Sequence, residues 1–517
     1  MGGATLGLEL AKKGHKVLFL EKGLWLFGDH NRGDGVLRGS NTPEHRLQRG
    51  FWPHKLSGKT SFGEANFHAA WGCGSGGGTS VYAAQQERFL PSDFSPRQYF
   101  PDCEGSSIPE HWPITCEELA PYYAQAEQLF EVRGTKDPLH PDEGESLIEP
   151  PPLDARDQAL FDSFTELGLH PYRSHIACRF KPGCEGCTGG LCHRQCRSGD
   201  AGFTCVLPAV EEYGAKILTE CEVTKIESDP DRATGVRCFH EGKEMLISGK
   251  VIVLAAGAYM SPVILLKSKA PHCPSGLANS SDMVGRNLMV HTSDYIAVRP
   301  DKQLPDERRG KSIALNDFYV YNGVKLGSFQ SVPLRINWRY TLHYLRTRHG
   351  RDPKWWLTLL KPFYRPMAIV GGFYYRHAKV FATVVEDLPY LHNRIILDDN
   401  SINGMRFEYD YADELLERNK MFRKEIVKAL KPKLKAVVLT SENNLNYGHV
   451  CGTCRFADDP KQGVLDRNNR AHDVENLYVV DASFFPSSSG INPSLTIAAN
   501  AIRVAEKISL QLNGESL

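Results

Sequence analysis

The chain has 517 residues, in which 61 Lys and Arg balance 61 Asp and Glu and 41% are hydrophobic. This length suits two or three interlocked domains, and the composition excludes collagen-like and disordered classes. Zero net charge gives no electrostatic case for a nucleic-acid partner, and no apolar run reaches the roughly 20 residues that span a bilayer. Residues 1–22 lack the pattern of a secretion signal, which predicts a cytoplasmic protein.

The N-terminal segment, MGGATLGLELAKKGHKVLFLEK, has the pattern of a helix followed by a strand. The helical stretch ends at Gly14, and an apolar β-run follows at residues 17–20. Gly2 and Gly3 fit the end of a G-x-G-x-x-G turn, where a helix N-terminus approaches a pyrophosphate. Glu21 lies at the distance along the chain where a carboxylate accepts hydrogen bonds from ribose hydroxyls.

This βαβ unit begins inside its motif, because the first strand and the first two glycines of the turn are absent. A dinucleotide-binding sheet without its central strand would leave neighbouring strands unpaired. The pattern therefore predicts that the natural chain starts upstream, with a strand and G-x-G. An ordinary αβ unit that binds no nucleotide is the competing interpretation.

A second glycine cluster, WGCGSGGGTSVY at residues 71–82, predicts a loop with unusual backbone dihedrals. Gly76, Gly77 and Gly78 would let the backbone come close to a cofactor. Thr79 adds a hydroxyl suited to phosphate or to helix capping. A flexible linker is the alternative, but linkers are flanked by Ser and Pro more often than by the aromatic residues found here.

An apolar run at residues 251–257, VIVLAAG, predicts a buried parallel strand that ends in small residues. Ala256 would leave room for a ligand against the strand end. Ser261-Pro262 is predicted to open the helix that follows.

The C-terminal segment contains the candidate catalytic residues. A strand at residues 477–480 ends at Asp481, and Asn492 directly precedes a helix predicted to begin at Pro493. The N-terminus of that helix has unpaired amides and a partial positive charge, which would stabilise negative charge on a reduced flavin. His449 stands in a Gly-containing turn that could present its imidazole to a cavity, although a lone histidine is more often structural.

The C-terminal segment closely resembles the signature of the glucose-methanol-choline (GMC) flavoprotein oxidoreductases. The matching pieces are His449 with Gly452-Thr453, Asp459-Pro460, NLYVVDAS at 476–483, Phe485-Pro486 and NPSLTI at 492–497. The resemblance continues at residues 1–21, 76–80, 112–114, 119–123, 219–223, 257–262 and 284–288. Matches in the same order along most of the chain make a chance likeness implausible.

The resemblance implies an α/β fold (α+β overall), with a Rossmann-like FAD-binding domain built from discontinuous segments and a substrate domain with an antiparallel sheet. The implied FAD-binding parts are residues 1–95, without its first strand, 175–290, with a Cys-rich insertion, and 446–517. A helical segment that covers FAD would occupy residues 96–174, and the substrate domain would occupy residues 291–445.

The resemblance also implies FAD, noncovalent or covalent, with an alcohol held over the flavin. His449 falls at the family's active-site histidine and Asn492 at its His/Asn partner. His449 would accept the hydroxyl proton while a hydride passes to flavin N5, and Asn492 would hold the hydroxyl oxygen. The residues expected to contact FAD are Gly2, Gly3, Glu21, Gly76, Gly77, Gly78, Thr79, Val223, Ala256, Asp481, Ala482, Pro493 and Thr496.

A cysteine cluster occupies residues 178–196. Cys184, Cys187, Cys192 and Cys196 could supply four thiolates to zinc or to an iron–sulfur cluster. Their two pairs lie closer together than those of zinc ribbons, so structural thiols or disulfides are favoured over a metal. The stretch also resembles an insertion of some bacterial GMC dehydrogenases, which in certain sugar dehydrogenases ligates a cluster.

Residues 335–376 interleave basic and aromatic side chains around a single acid, Asp352. Three interpretations stay open: peripheral contact with a membrane, the lining of a substrate cavity, and an ordinary mixture of core and solvated positions.

A GMC-type alcohol dehydrogenase or oxidase is the favoured function. A nicotinamide-dependent dehydrogenase would leave the C-terminal segment unexplained. A catalytically silent scaffold or metal-binding protein is favoured only if the natural protein also lacks the first strand. The expected substrate is a small-molecule alcohol, either a sugar or polyol or a larger apolar alcohol. Oxygen, a quinone or a cytochrome would receive the electrons.

Overall fold

The computed structural model describes residues 1–27, 42–140, 144–181, 198–300, 304, 310–334, 336–351, 359–439 and 445–515. The helices are α1 (Gly2–Lys12), α2 (Pro43–Gln48), α3 (Cys116–Leu129), α4 (Ala155–Glu166), α5 (Leu207–Glu211), α6 (Gly257–Lys267), α7 (Trp338–Arg351), α8 (Tyr364–Tyr374), α9 (Asp413–Leu430) and α10 (Ser494–Asn513). The strands are β1 (Leu18–Leu20), β2 (Leu56–Thr60), β3 (Gly63–Phe67), β4 (Tyr172–Arg173), β5 (Lys216–Leu218), β6 (Cys221–Ser228), β7 (Ala233–His240), β8 (Lys243–Ile247), β9 (Ile252–Leu254), β10 (Met289–Thr292), β11 (Tyr295–Arg299), β12 (Ile313–Leu315), β13 (Val320–Tyr321), β14 (Val324–Lys325), β15 (Ser328–Ser331), β16 (Lys379–Val384), β17 (Arg394–Leu397), β18 (Met405–Tyr409), β19 (Lys435–Val438), β20 (Leu445–Cys451) and β21 (Leu477–Val479).

Two short parallel strand pairs lie in the segments that are predicted to bind a dinucleotide. β1 pairs with β5, and β9 pairs with β21. Leu6 and Leu10 of α1 share one buried cluster with Tyr478 of β21 and Val504 of α10. The first helix and the last helix therefore pack on the same strand, although they lie at opposite ends of the chain.

The largest sheet among the described residues is antiparallel and six-stranded, in the order β19-β11-β16-β15-β12-β4, and five of its strands come from the predicted substrate domain. Phe164 of α4 and Phe422 of α9 belong to the same buried cluster as Phe381 of β16. All six residues of β16 are buried, since the strand has neighbours on both edges and helices packed on the sheet. The predicted fold class is confirmed.

The predicted start of the helix after β9 is wrong by four residues. α6 begins at Gly257, whose φ is +83°, and Pro262 lies inside it. A proline leaves the carbonyl four residues earlier without its helical donor. That carbonyl, on Ala258, instead accepts the Thr453 hydroxyl at 2.7 Å. A residue of the C-terminal segment thus stabilises the proline-containing turn.

α7 and α8 pack closely against each other. A Cβ at Gly372 would lie 2.6 Å from the backbone nitrogen of Trp338, so the contact requires glycine. Among the helices in the described ranges, none has the length and apolar character needed to cross a bilayer.

Candidate active site

A cavity of about 2470 Å³ brings together the N-terminal glycines, the second glycine cluster and the C-terminal segment. This volume exceeds the roughly 300 to 1,000 Å³ of ordinary ligand pockets. The predicted residues that line it are Gly2, Gly3, Glu21, Gly76, Gly77, Gly78, Thr79, Val223, Ala256, His449, Asp481, Ala482, Asn492 and Pro493. Thr496 does not border the cavity; it is fully buried, and its hydroxyl lies 2.7 Å from that of Tyr123.

The cavity extends between two strand edges. In the described part of the chain β1 pairs only with β5 and β9 only with β21, and both β1 and β9 line the cavity. A strand edge that faces open space leaves its amides and carbonyls without partners. The first strand that the sequence predicts stays a prediction.

The N-terminus of α1 borders the cavity and lies very close to the end of β21. A Cβ at Gly2 would lie 1.8 Å from the carbonyl oxygen of Val480, and a Cβ at Gly3 would lie 2.6 Å from Cβ of Ala255. Only glycine allows the helix to start this close to the strands. The first amides of a helix have no partner within it, so they can serve an anion in the cavity.

Glu21 follows β1 and joins it to the second glycine cluster. Its Oε1 accepts the amides of Gly23 at 2.7 Å and Gly74 at 3.0 Å. Burial raises the pKa of Glu21 to about 7, although these two amide bonds act in the opposite direction. The carboxyl group is thus fixed at the cavity wall, and its contact with ribose stays a prediction.

The second glycine cluster forms the predicted loop, with one 3₁₀ turn at Gly77–Ser80. Gly77 has a φ of +54°, in the left-handed region. The Thr79 hydroxyl donates to the Gly76 carbonyl at 2.7 Å and accepts the Ala201 amide at 2.9 Å. Thr79 therefore stabilises the shape of the loop from within.

Asp481 ties the end of β21 to α6. One carboxylate oxygen accepts the Gly257 amide at 3.0 Å and the Ser261 hydroxyl at 2.5 Å. The other accepts the amide of Ser483 at 2.9 Å and its hydroxyl at 2.6 Å. These four bonds hold the start of α6 and the turn beginning at Ala482 beside the cavity.

His449 lies on β20 with part of its surface on the cavity. Burial, then His291 and Lys311, holds the pKa of His449 well below its ordinary value. The imidazole is therefore neutral at neutral pH and can accept a proton. Its Nε2 lies 3.4 Å from Nδ2 of Asn492, so the structure brings the two predicted catalytic residues together.

Asn492 precedes α10, and a glutamine of the antiparallel sheet sets the direction of its amide. Gln330 of β15 donates from Nε2 to Oδ1 of Asn492 at 2.8 Å. With Oδ1 occupied in this way, the amide nitrogen of Asn492 faces His449. Gln330 is 2% exposed and lines the cavity, and its Oε1 has no hydrogen-bond partner among the residues that the structure describes.

Two further residues of the site, Gln330 and a second histidine, His291, are not predicted from the sequence. Nδ1 of His291 lies 3.0 Å from Nδ1 of His449, and its Nε2 lies 3.1 Å from the Ser488 carbonyl oxygen. Burial lowers the pKa of His291 to about 4, although hydrogen bonds to the backbone act in the opposite direction. Neither residue belongs to a spaced motif, so no pattern in the sequence marks them.

The four cysteines Cys184, Cys187, Cys192 and Cys196 lie outside the described residues, so the metal hypotheses stay predictions. Within the ranges that the structure describes, no group of three or more His, Cys, Asp or Glu side chains could hold a metal ion.

Relatives of known activity match most of the chain. Paromamine 6'-oxidase of Streptomyces fradiae is 28% identical over 469 residues, covering 84% of this chain and 78% of that protein. 2-Methyl-1,2-propanediol dehydrogenase of Mycolicibacterium austroafricanum is 27% identical, covering 98% and 93%. The fructose dehydrogenase large subunit of Gluconobacter japonicus is 25% identical, covering 84% and 80%.

Solved structures share the fold. Pyridoxine 4-oxidase from Mesorbium loti superposes with a TM-score of 0.67 at 18% identity, covering 98% of this chain and 97% of that one. A formate oxidase variant from Aspergillus oryzae RIB40 gives 0.62 at 15% identity, covering 99% and 97%. Family profiles described as GMC oxidoreductase match residues 117–293 and 384–501, together more than half of the chain. The chain therefore belongs to the GMC oxidoreductases, a family of FAD-dependent enzymes that oxidise alcohols.

Proposed function

We propose that this chain oxidises a CH–OH group of a small alcohol to a carbonyl, with His449 as the general base. The observation that carries the proposal is a neutral imidazole beside an oriented amide, both on a cavity that the two glycine clusters also line. An imidazole that is unprotonated at neutral pH is available to accept a proton. The hydroxyl proton of the substrate would pass to Nε2 of His449.

Asn492 would hold the substrate oxygen. Because Gln330 occupies its Oδ1, Asn492 presents an N–H donor toward the cavity and not an acceptor. A donor there would stabilise negative charge on the oxygen as its proton leaves, and would restrain the reacting carbon.

The residues present fit FAD. The first amides of α1, the glycine loop and the N-terminus of α10 all border one cavity, and two of these elements are helix N-termini suited to anionic groups. When bound, FAD would supply the acceptor for the hydride that leaves the alcohol carbon. Gly2 and Gly3 would lie at the pyrophosphate, Glu21 at the ribose, Val223 at the adenine, and Pro493 at the start of α10 beside the flavin.

The substrate that we propose is a sugar or polyol. Gln330 lines the cavity, and its buried Oε1 has no hydrogen-bond partner within the described ranges; a second hydroxyl of the substrate would supply one. Relatives named for paromamine, a propanediol and fructose act on compounds that carry several hydroxyl groups. A larger apolar alcohol would leave the Gln330 oxygen buried without a partner.

Anaerobic flavin reduction tests this function. Purified FAD-loaded protein under nitrogen is expected to lose its visible flavin absorption with a sugar or polyol, and to lose it more slowly with long-chain aliphatic alcohols. Adding oxygen, a quinone or a cytochrome to the reduced enzyme then identifies the electron acceptor. A flavin that no alcohol in the panel reduces would contradict the proposal.

We also propose that α8 docks on an anionic lipid surface. The helix buries only Tyr364, Ala368 and Gly372 and exposes most of its large apolar side chains. Amphipathic helices of soluble proteins normally turn such side chains inward. The exposed residues on and just before α8 are Leu359, Phe363, Met367, Ile369, Val370, Phe373 and Tyr374, each 42% to 69% exposed.

The sequence around α8 carries mostly positive charge. Residues 335–376 contain nine Lys or Arg and one Asp, in a chain whose total charge is zero. The guanidinium of Arg376 lies 4.1 Å from the ring centre of Phe373, and that of Arg299 lies 4.1 Å from the ring centre of Tyr374. Basic groups around an apolar helix face favour the headgroup region of anionic membranes.

Vesicle flotation tests the lipid contact. The protein is expected to float with vesicles of phosphatidylcholine and phosphatidylserine, and less so at high salt. Val370→Asn combined with Phe373→Ser should reduce flotation, whereas Ile402→Asn, at an exposed apolar residue outside this surface, should not. Wild-type protein that stays at the bottom of the gradient would refute the contact.

A further inference from the structure

His291 and His449 face each other across a pair of strands. β10 and β20 are antiparallel, with Val290 opposite Val450. The two imidazole rings are nearly perpendicular, at 88°, and their Nδ1 atoms are 3.0 Å apart. At this distance the two nitrogens form a favourable contact only if one of them carries a hydrogen and the other does not.

The Ser488 carbonyl determines which nitrogen of His291 is protonated. A carbonyl oxygen can only accept, so Nε2 of His291, 3.1 Å away, must carry the hydrogen. His291 is neutral at neutral pH because burial lowers its pKa to about 4. A neutral imidazole carries one ring hydrogen, so Nδ1 of His291 is bare and can only accept.

The state of His449 follows from that of His291. Because Nδ1 of His291 is an acceptor, Nδ1 of His449 must donate to it. Neutral His449 then has no hydrogen on Nε2, the nitrogen that lies beside Asn492. That nitrogen is the one placed to accept a proton from a substrate hydroxyl.

The contact with Asn446 favours the opposite tautomer of His449. Nδ2 of Asn446 lies 3.1 Å from Nδ1 of His449, and Oδ1 of Asn446 accepts the Gly448 amide at 3.2 Å. A bare Nδ1 on His449 would satisfy Asn446 but would set two lone pairs 3.0 Å apart, with His291 1% exposed. Asn446 is half-buried and borders the cavity, so water can satisfy its amide. The contact with His291 therefore decides the tautomer.

A rigid support holds the Ser488 carbonyl in place. The Ser488 hydroxyl donates to the Asp387 carbonyl at 2.9 Å, and the Asp387 amide donates to the same hydroxyl at 2.9 Å. The Asp387 carboxyl group also accepts the Val290 amide at 2.8 Å and the Tyr409 hydroxyl at 2.9 Å. The acceptor of His291 and the strand that carries His291 are thus fixed by one residue.

We infer that His291 is a positioning residue that keeps His449 in the tautomer with a bare Nε2. The inference rests on the proposed role of His449 as a base, and it adds a residue outside the His449–Asn492 pair. The arrangement looks like a proton relay but does not act as one, because His291 stays neutral and exchanges no proton with the substrate. It acts by orientation, as partners of a catalytic imidazole do elsewhere.

Nuclear magnetic resonance of ¹⁵N-histidine-labelled, FAD-loaded protein at pH 7 tests the tautomer without any substrate. His449 is expected to show a protonated Nδ1 and a bare Nε2, and His291 the reverse. His291→Leu should convert His449 to a mixture of tautomers, whereas Asn446→Ala should leave its tautomer unchanged. A proton on Nε2 of His449 in the wild-type protein would overturn the inference.

Kinetics supply the second measurement. His291→Leu is expected to lower kcat by about 10- to 100-fold and to change KM less than about twofold. His291→Asn should restore kcat to within about threefold of wild type, since its Oδ1 can accept from Nδ1 of His449. If no alcohol reduces the flavin, the proposed function fails while the tautomer result stands. If His291→Leu keeps full turnover and the wild-type tautomer, His291 has no positioning role.

Discussion

Replacing His449 with alanine is expected to lower kcat for alcohol oxidation by about 10²- to 10⁴-fold, the range that a positioned acid–base group contributes. The variant would lack the only side-chain nitrogen that we place to receive the hydroxyl proton, while the glycine loop and α1 would still hold FAD. Stopped-flow flavin reduction and the flavin-to-protein absorbance ratio measure the two effects separately.

His392 provides the matched control, because it is exposed and does not line the cavity. His392→Ala should keep kcat within about twofold of wild type. If His449→Ala turned over alcohol at the wild-type rate, a different residue would have to be the base.

The pH profile checks the same assignment. The active form of His449 is the neutral one, which predominates above its pKa, and burial, His291 and Lys311 hold that pKa well below its usual value. The kcat/KM value should therefore stay level as the pH falls through about 6.5, where an unperturbed imidazole would lose half of its activity. Activity should decline only at lower pH.

Replacing Lys325 with methionine is expected to lower the free energy of unfolding by about 3–5 kcal/mol, the range for breaking a buried ion pair on one side. Lys325 is fully buried; it contacts Asp93, and its Nζ lies 2.8 Å from Glu386 Oε2. Burial alone lowers the pKa of Lys325, but Asp93 and Glu386 raise it more and keep the amine charged. Without that charge, two carboxyl groups would remain buried with no cation between them.

The effect should extend to the active site. Asp93 accepts the Tyr319 hydroxyl at 2.6 Å and the Ser489 hydroxyl at 3.0 Å, and Ser489 follows the residue whose carbonyl holds His291. Urea unfolding followed by circular dichroism gives the stability change. We expect loss of stability to be accompanied by slower flavin reduction.

Two further variants separate charge from packing. Lys428 is 74% exposed and 3.7 Å from Glu425, so Lys428→Met should change stability by less than about 1 kcal/mol. Adding Asp93→Asn and Glu386→Gln to Lys325→Met should recover part of the lost stability, because the two carboxylates that lost their lysine would no longer be charged. An unchanged urea midpoint for Lys325→Met alone would show that the buried pair contributes nothing.

The sequence determined the family, the fold class and the pair of residues proposed for catalysis. These depend on local patterns: the helix and strand of the N-terminal segment, the glycine cluster, and the spacing of His449 and Asn492 within one signature. Local hydrophobic periodicity predicts such elements because it reflects which face of a segment is buried. The start of α6 was misplaced because its stabilising partner, Thr453, lies far along the chain.

Only the tertiary structure decided what surrounds the imidazole. His291 lies on β10 and Gln330 on β15, each more than 100 residues from its partner in sequence, and no short-range pattern marks them. In the tertiary structure Thr496 lies in the core, and most of the large apolar side chains of α8 are exposed. Contacts between distant segments depend on how sheets and helices pack. That packing is a property of the whole chain, and the spacing of residues within one segment does not encode it.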